Sequence, residues 1–147
     1  KVFGDGRYLF HPQLSESAAA AADAPLWGAY LESQKINAAL LNNMALTFST
    51  QKGYPDGSKK TFLRPWYLSY MPRERWALVY WDDKALFFVD RHAVAPQWLA
   101  VHEYRYVRPN DDAAFEEAIR LREIPGGAVA AEQARHVREL SSRLPGL

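Results

Sequence analysis

Asp5 and Arg7 are the residues of this sequence best suited to ligand contact. They flank Gly6 and follow the apolar Val2–Phe3 pair, a pattern that predicts a short strand ending in a tight turn. Open α/β sheets bind ligands at the carboxyl ends of their strands. We therefore expect Asp5 and Arg7 to contact a ligand, with Arg7 as its main charged donor. The structural alternative is that both side chains only stabilise the turn.

Polar and aromatic residues further along the chain extend this predicted site. Asn42 follows an apolar run at 36–41, and the stretch from Thr47 to Pro72 is rich in aromatic residues, among them Tyr54 and Trp66. Parallel strands send their following loops to one edge of a sheet. We expect Asn42 in a shallow polar pocket with Asp5 and Arg7, and Tyr54 and Trp66 on its rim. Aromatic rings stack on sugars but also fill cores, and the predicted ligand is neutral or polar.

Asp82 and Asp83 are the other carboxylates with two interpretations. Adjacent acids can bind a cation or act as an acid and base pair, but aspartate is also common in turns, and the turn is the simpler interpretation. The four histidines lack metal-ligand spacing and the chain has no cysteine. We therefore predict neither a metal site nor a cofactor.

Hydrophobic patterning predicts an α/β fold that positions these residues. The strongest pattern consists of two apolar runs, 76–81 and 85–89, around a short polar link, which predicts an antiparallel hairpin. Helical spacing follows Pro25, and a second helix is predicted from Lys59 to Met71. Two more helices are predicted around 96–103 and from about Asn110. A last helix is predicted with Val129, Val137, Leu140 and Leu144 on one stripe.

The expected architecture is a small mixed sheet covered by helices, with a C-terminal helical tail. The sheet begins with a parallel β-α-β unit, in which the Val2 and 36–41 strands are parallel and a helix makes the crossover. It continues with the antiparallel hairpin. The predicted division is an α/β domain at 1–108 and a helical tail at 109–147, which could begin a helical repeat region.

Charge and length exclude some classes of protein. Eighteen basic and seventeen acidic side chains leave a formal charge of +1, so we expect no nucleic-acid partner. The longest apolar runs are much shorter than the roughly 20 residues of a membrane-spanning helix, so we expect no direct membrane insertion. Because the chain starts at Lys1 without a signal sequence, we expect it to be a fragment of a larger protein.

Three segments carry a family resemblance: Val-Phe-Gly-Asp-Gly-Arg at 2–7, the helix and strand from Trp27 to Leu41, and Trp-Ala-Leu-Val-Tyr-Trp-Asp-Asp at 76–83. Together they resemble the C-terminal soluble domain of multi-spanning bacterial proteins related to dolichyl-phosphate-mannose-type glycosyltransferases. The resemblance covers residues 1–108. It implies an extracytoplasmic domain tethered to the cytoplasmic membrane, with the membrane domain of the same polypeptide as its partner and the catalytic acid elsewhere.

From this resemblance we expect a non-catalytic accessory domain that positions a glycan or protein acceptor for a membrane glycosyltransferase-like protein. Two alternatives belong to other classes of function. One is a stand-alone hydrolase that uses Asp5 with Asp82 or Asp83, and the other is a protein-interaction module.

Overall fold

The structure is a computed structural model that describes residues 11–143. The helices of this range are α1 (His11–Ala20), α2 (Ala24–Ser33), α3 (Tyr67–Tyr70), α4 (Pro96–His102), α5 (Asp112–Arg120) and α6 (Gly126–Arg143). The strands are β1 (Ala38–Asn42), β2 (Thr47–Gly53), β3 (Lys59–Pro65), β4 (Trp76–Trp81) and β5 (Ala85–Asp90), and a 3-10 turn follows β5 at Arg91–Ala93.

Helix α2 begins where the sequence predicts a helix. The Asp23 carboxylate accepts a hydrogen bond from the Leu26 backbone N–H at 3.4 Å, which satisfies a group that has no partner within the helix. Pro25 lies in the first turn, where a missing N–H removes no helical bond. On the inner face Leu31 is buried and Trp27 packs against the core, so this prediction is confirmed.

The predicted hairpin is confirmed as β4 and β5, which belong to a three-stranded sheet with the order β1-β5-β4. β4 and β5 pair with Leu78 opposite Phe88, and a bulge interrupts the register between Leu78 and Tyr80. β1 pairs with the other edge of β5, with Ala39 opposite Phe88. The strand predicted at 36–41 is therefore present as β1.

The predicted helix from Lys59 to Met71 is wrong, because most of that range is strand β3. β3 pairs antiparallel with β2 across a turn in which the Gly57 N–H donates to the Tyr54 carbonyl oxygen at 2.9 Å. Gly57 has a φ of 81°, which glycine adopts without steric cost. Phe62 is buried on β3, and the paired strand β2 alternates between exposed and half-buried residues. Only α3 is helical in the predicted range.

One apolar core joins the three-stranded sheet to the surrounding helices. Trp76, Tyr67 and Tyr104 are among its largest fully buried side chains. Helices α5 and α6 add Ala118 and Val129 to the same cluster. The helices after residue 108 therefore share a core with the sheet. The division into a domain at 1–108 and a tail at 109–147 stays a prediction.

The last helix, α6, differs from its predicted apolar stripe at one position. Val129 is buried as expected, but Val137 is 62% exposed. His136 is buried instead, because its ring stacks on Trp81 with 3.8 Å between centroids and 8° between planes. Leu144 lies outside the described residues.

The predicted α/β class is confirmed, with small sheets covered by helices and a helix at the C-terminal end. Every strand pairing among the described residues is antiparallel. The predicted parallel pairing requires the Val2 strand, which lies outside them. None of the helices in residues 11–143 is long and apolar enough to cross a membrane.

Candidate functional site

The sequence-predicted ligand residues lie in separate surroundings. Asp5 and Arg7 fall outside the described residues, so their contact with a ligand stays a prediction. Asn42 ends β1 opposite Ala85 of β5, and its side chain is exposed.

Tyr54 and Trp66 lie at opposite ends of the β2–β3 hairpin. Strand β2 runs the length of the hairpin between them, roughly 20 Å at the usual rise per residue. The Tyr54 hydroxyl donates to Glu117 Oε1 at 2.6 Å, and the Trp66 ring packs edge-on against Tyr70 at 5.5 Å. The two rings therefore do not share the rim of one pocket, contrary to our expectation, and ligand binding by Asn42, Tyr54 or Trp66 stays a prediction.

Asp82 forms the turn between β4 and β5, as the simpler interpretation predicts. Its carboxylate accepts from the Tyr80 hydroxyl at 2.5 Å and from the backbone N–H groups of Lys84 and Ala85 at 2.8 and 2.7 Å. The hydrogen bond from Tyr80, followed by that from the Lys84 backbone, lowers the pKa of Asp82. Across the described chain, no group of three or more metal-binding side chains is assembled.

A pocket of about 480 Å³ opens beside the segment that joins α4 to α5. Its arginines come from three parts of the chain: Arg73 precedes β4, Arg91 follows β5, and Arg105 and Arg108 lie between α4 and α5. We call it the arginine pocket. Guanidinium groups hold oxyanions through planar forks of N–H donors, so the lining indicates an anionic ligand.

Two side chains fix the backbone that presents Arg105 and Arg108. The Arg73 guanidinium donates to the carbonyl oxygens of Arg105 and Val107. Glu132 of α6 accepts from the backbone N–H groups of residues 105, 106 and 107, at distances of 2.8–3.2 Å. We call Arg73 and Glu132 the backbone clamp. Its bonds are charge-assisted and therefore stronger than neutral ones.

Helix α6 makes further contacts with the end of α4 and the residues that follow it. Arg135 donates to the carbonyl oxygens of Val101 and Glu103 at 2.5 and 2.7 Å, which otherwise lack helical partners at the end of α4. The Tyr104 hydroxyl donates to Glu139 at 2.8 Å. Burial, and next this hydrogen bond, raises the pKa of Tyr104 to about 12, so the hydroxyl stays a donor at neutral pH.

Arg108 lines the pocket, and its carboxylate partner, Asp111, is shared with a second arginine. The buried Asp111 carboxylate accepts two hydrogen bonds from Arg64, at 3.0 and 2.6 Å. Arg108 approaches the same carboxylate only to 3.7 Å, and its Nε is buried without a hydrogen-bond partner. Burial, and next the charge of Arg64, lowers the pKa of Arg108. Two guanidinium groups thus share one carboxylate.

The other arginines of the pocket differ in their partners. Arg91 is paired with Glu103, with one N–H···O distance of 3.0 Å. Arg73 and Arg105 form no ion pair with any residue that the structure describes. Burial, and next the charge of Arg108, lowers the pKa of Arg73. The four arginines of the lining therefore outnumber its two carboxylates, those of Glu74 and Glu123.

The sequence patterns do not predict this pocket, because its residues are distant in the chain. Arg73 and Arg108 meet only after β4, β5 and α4 have folded between them. The local composition did contain an indication, since arginines are dense at 73–75 and 105–108. Near-zero net charge concealed it, because a total charge carries no information about its distribution.

Searches of protein-family models, curated proteins and solved structures found no match to this chain. The resemblance to the C-terminal domains of glycosyltransferase-like membrane proteins thus remains a prediction. The arginine pocket is the feature of the described chain from which a function can be argued.

Proposed function

We propose that this chain is a non-catalytic binding domain that holds the anionic group of a ligand in the arginine pocket. The observation that carries the proposal is that Arg73 and Arg108 line one pocket with two further arginines, while no carboxylate is paired to Arg73 in the described chain. Repulsion among guanidinium groups is relieved when an anion binds between them.

This proposal changes the ligand expected from the sequence. A neutral or polar ligand at Arg7 is replaced by an anion at Arg73, Arg105 and Arg108, because these arginines line a pocket together. The role as an extracytoplasmic accessory domain of a membrane glycosyltransferase-like protein, positioning a glycan or protein acceptor, is a further proposal that rests on the sequence resemblance alone. An acidic glycan or an acidic acceptor protein would satisfy both proposals.

The hydrolase alternative has less support. It requires Asp82 or Asp83 to act with Asp5, and the Asp82 carboxylate already accepts three hydrogen bonds within its turn. These bonds stabilise the charged form of the Asp82 carboxylate, which makes it a poor general base.

Titration by NMR tests the proposal directly. We expect sulfate and acetate to shift the backbone amide signals of residues 105–108, and glucose to leave them unchanged. Arg105→Ala removes a pocket cation without removing a described hydrogen bond and should weaken binding about tenfold. Arg138→Ala is the matched control, because Arg138 is exposed on α6 and does not line the pocket.

Two outcomes would contradict anion binding at this site. One is the absence of amide shifts at 105–108 with either anion. The other is an equal effect of Arg105→Ala and Arg138→Ala, which would assign the shifts to general screening of surface charge.

A further inference from the structure

Three arginines of the pocket have donors that the described chain leaves available. Arg73 uses two of its N–H groups on backbone carbonyls and has no anionic partner, and Arg105 is exposed and forms no ion pair there. Arg108 lies 3.7 Å from the Asp111 carboxylate, which Arg64 already binds through two hydrogen bonds. A carboxylate offers two oxygens to such donors. A phosphate monoester offers three, and each is a strong acceptor.

The charge of the pocket also favours a phosphate monoester. Together with the other members of their ion-pair networks, including Arg64, which binds the Asp111 carboxylate that Arg108 approaches, the lining side chains comprise six cations and four carboxylates, an excess of two positive charges. The cations are Arg64, Arg73, Arg91, Arg105, Arg108 and Lys52, and the carboxylates are Glu74, Glu103, Asp111 and Glu123. Glu132 reduces the excess to one if its carboxylate, bound to backbone N–H groups, is included. A phosphate monoester carries roughly 1.5 to 2 negative charges at neutral pH.

The pocket is larger than a phosphate group needs. Its volume of about 480 Å³ falls within the range of small-molecule sites. Tyr106 lines it beside the arginines and is partly buried. An aromatic ring there supplies apolar contact for the organic part of a ligand, while its backbone N–H is held by Glu132.

We infer that the arginine pocket binds the phosphate monoester of a small organic molecule. Arg73, Arg105 and Arg108 donate to the three terminal oxygens, and Tyr106 contacts the organic group. This inference rests on the proposed function, because it names the chemical class of the anion bound at the same site.

Calorimetric titration with matched small ligands tests the inference. Methyl phosphate and dimethyl phosphate differ by one methyl group and about one charge, and acetate is the carboxylate reference. We expect methyl phosphate to bind about tenfold or more tightly than either, because it alone offers three charged or strongly accepting oxygens. Arg105→Ala should abolish most of that preference, and Arg138→Ala should retain it.

A second pair of ligands tests the organic contact. Phenyl phosphate should bind more tightly than inorganic phosphate, and Tyr106→Ala should remove the difference without weakening inorganic phosphate. A third pair tests the source of the phosphate group, with glycerol 3-phosphate expected to bind more tightly than a phosphoserine peptide.

The outcomes separate this inference from the proposed function. Tighter binding of acetate or dimethyl phosphate than of methyl phosphate would overturn the phosphate monoester and leave anion binding standing. Failure of every anion would overturn both. Tighter binding of the phosphoserine peptide would overturn the small-molecule ligand, and a Tyr106→Ala effect on inorganic phosphate would overturn the assigned role of the ring.

Discussion

At the scale of single residues, Glu117 shows how strongly a partly enclosed carboxylate can be held. It accepts two hydrogen bonds from Arg120, at 3.0 and 2.6 Å, and one from the Tyr54 hydroxyl. The hydrogen bonds from Arg120, followed by that from Tyr54, hold the pKa of Glu117 down to about 2. Glu117 therefore links α5 to the tip of the β2–β3 hairpin mainly in its charged form.

This shift predicts a loss of stability in acid. Because folding lowers the pKa of Glu117, its contribution is fully present above the ordinary pKa near 4.5 and is lost as the pH falls towards about 2. We expect the Glu117→Gln variant to be less stable than the parent chain at neutral pH. Between pH 4.5 and about pH 2, the variant should lose less stability than the parent chain. Thermal unfolding measured by circular dichroism from pH 7 to pH 2 gives both curves. Parallel curves would contradict the assignment.

Residue chemistry was only partly predictable from the sequence. The turn role of Asp82 followed from the preference of aspartate for turns, and the structure confirms it. Tyr54 and Trp66 were grouped because they are close in sequence, but a hairpin sends its tip and its base in opposite directions. The arginine pocket was indicated only by the arginines at 73–75 and 105–108, since its charges meet through tertiary folding.

At the scale of elements, the backbone clamp predicts which segment loosens first when α6 is altered. Glu132→Ala leaves three N–H groups at 105–107 without their charged acceptor. We expect a loss of about 2 kcal/mol in the free energy of unfolding, with faster hydrogen exchange concentrated at these amides. Gln133→Ala is the control, because Gln133 is the exposed neighbour on the same helix. Unchanged exchange at 105–107 would refute the clamp.

Element prediction succeeded where one pattern was dominant. The β4–β5 runs have no competing helical interpretation, and Pro25 marks the start of α2 clearly. The error at Lys59–Met71 has a physical cause, because this range contains two elements, the strand β3 and the short helix α3 that begins after Pro65. Tyr54–Gly57 is a hairpin turn, and recognising this from its proline, aspartate and glycine would have indicated strands on both sides.

At the scale of the whole molecule, the shared core predicts how the chain responds to truncation. Ala118, Ile124 and Val129 follow the predicted boundary at residue 108 and are buried with Trp76 and Leu78. We expect a chain ending at residue 108 to lose cooperative unfolding, because it exposes that core and lacks Glu132. Near-ultraviolet circular dichroism during thermal unfolding provides the measurement. A cooperative transition in the shorter chain would instead support an independent domain at 1–108.

The backbone clamp also bears on how sequences of this fold can diverge. Its partners are carbonyl oxygens and N–H groups, which most residue types supply, so the clamp constrains positions 73 and 132 but not the side chains at 105 and 106. Substitutions at those two positions can therefore accumulate without altering the path of the main chain. A lineage could change what the pocket selects while inheriting the same scaffold.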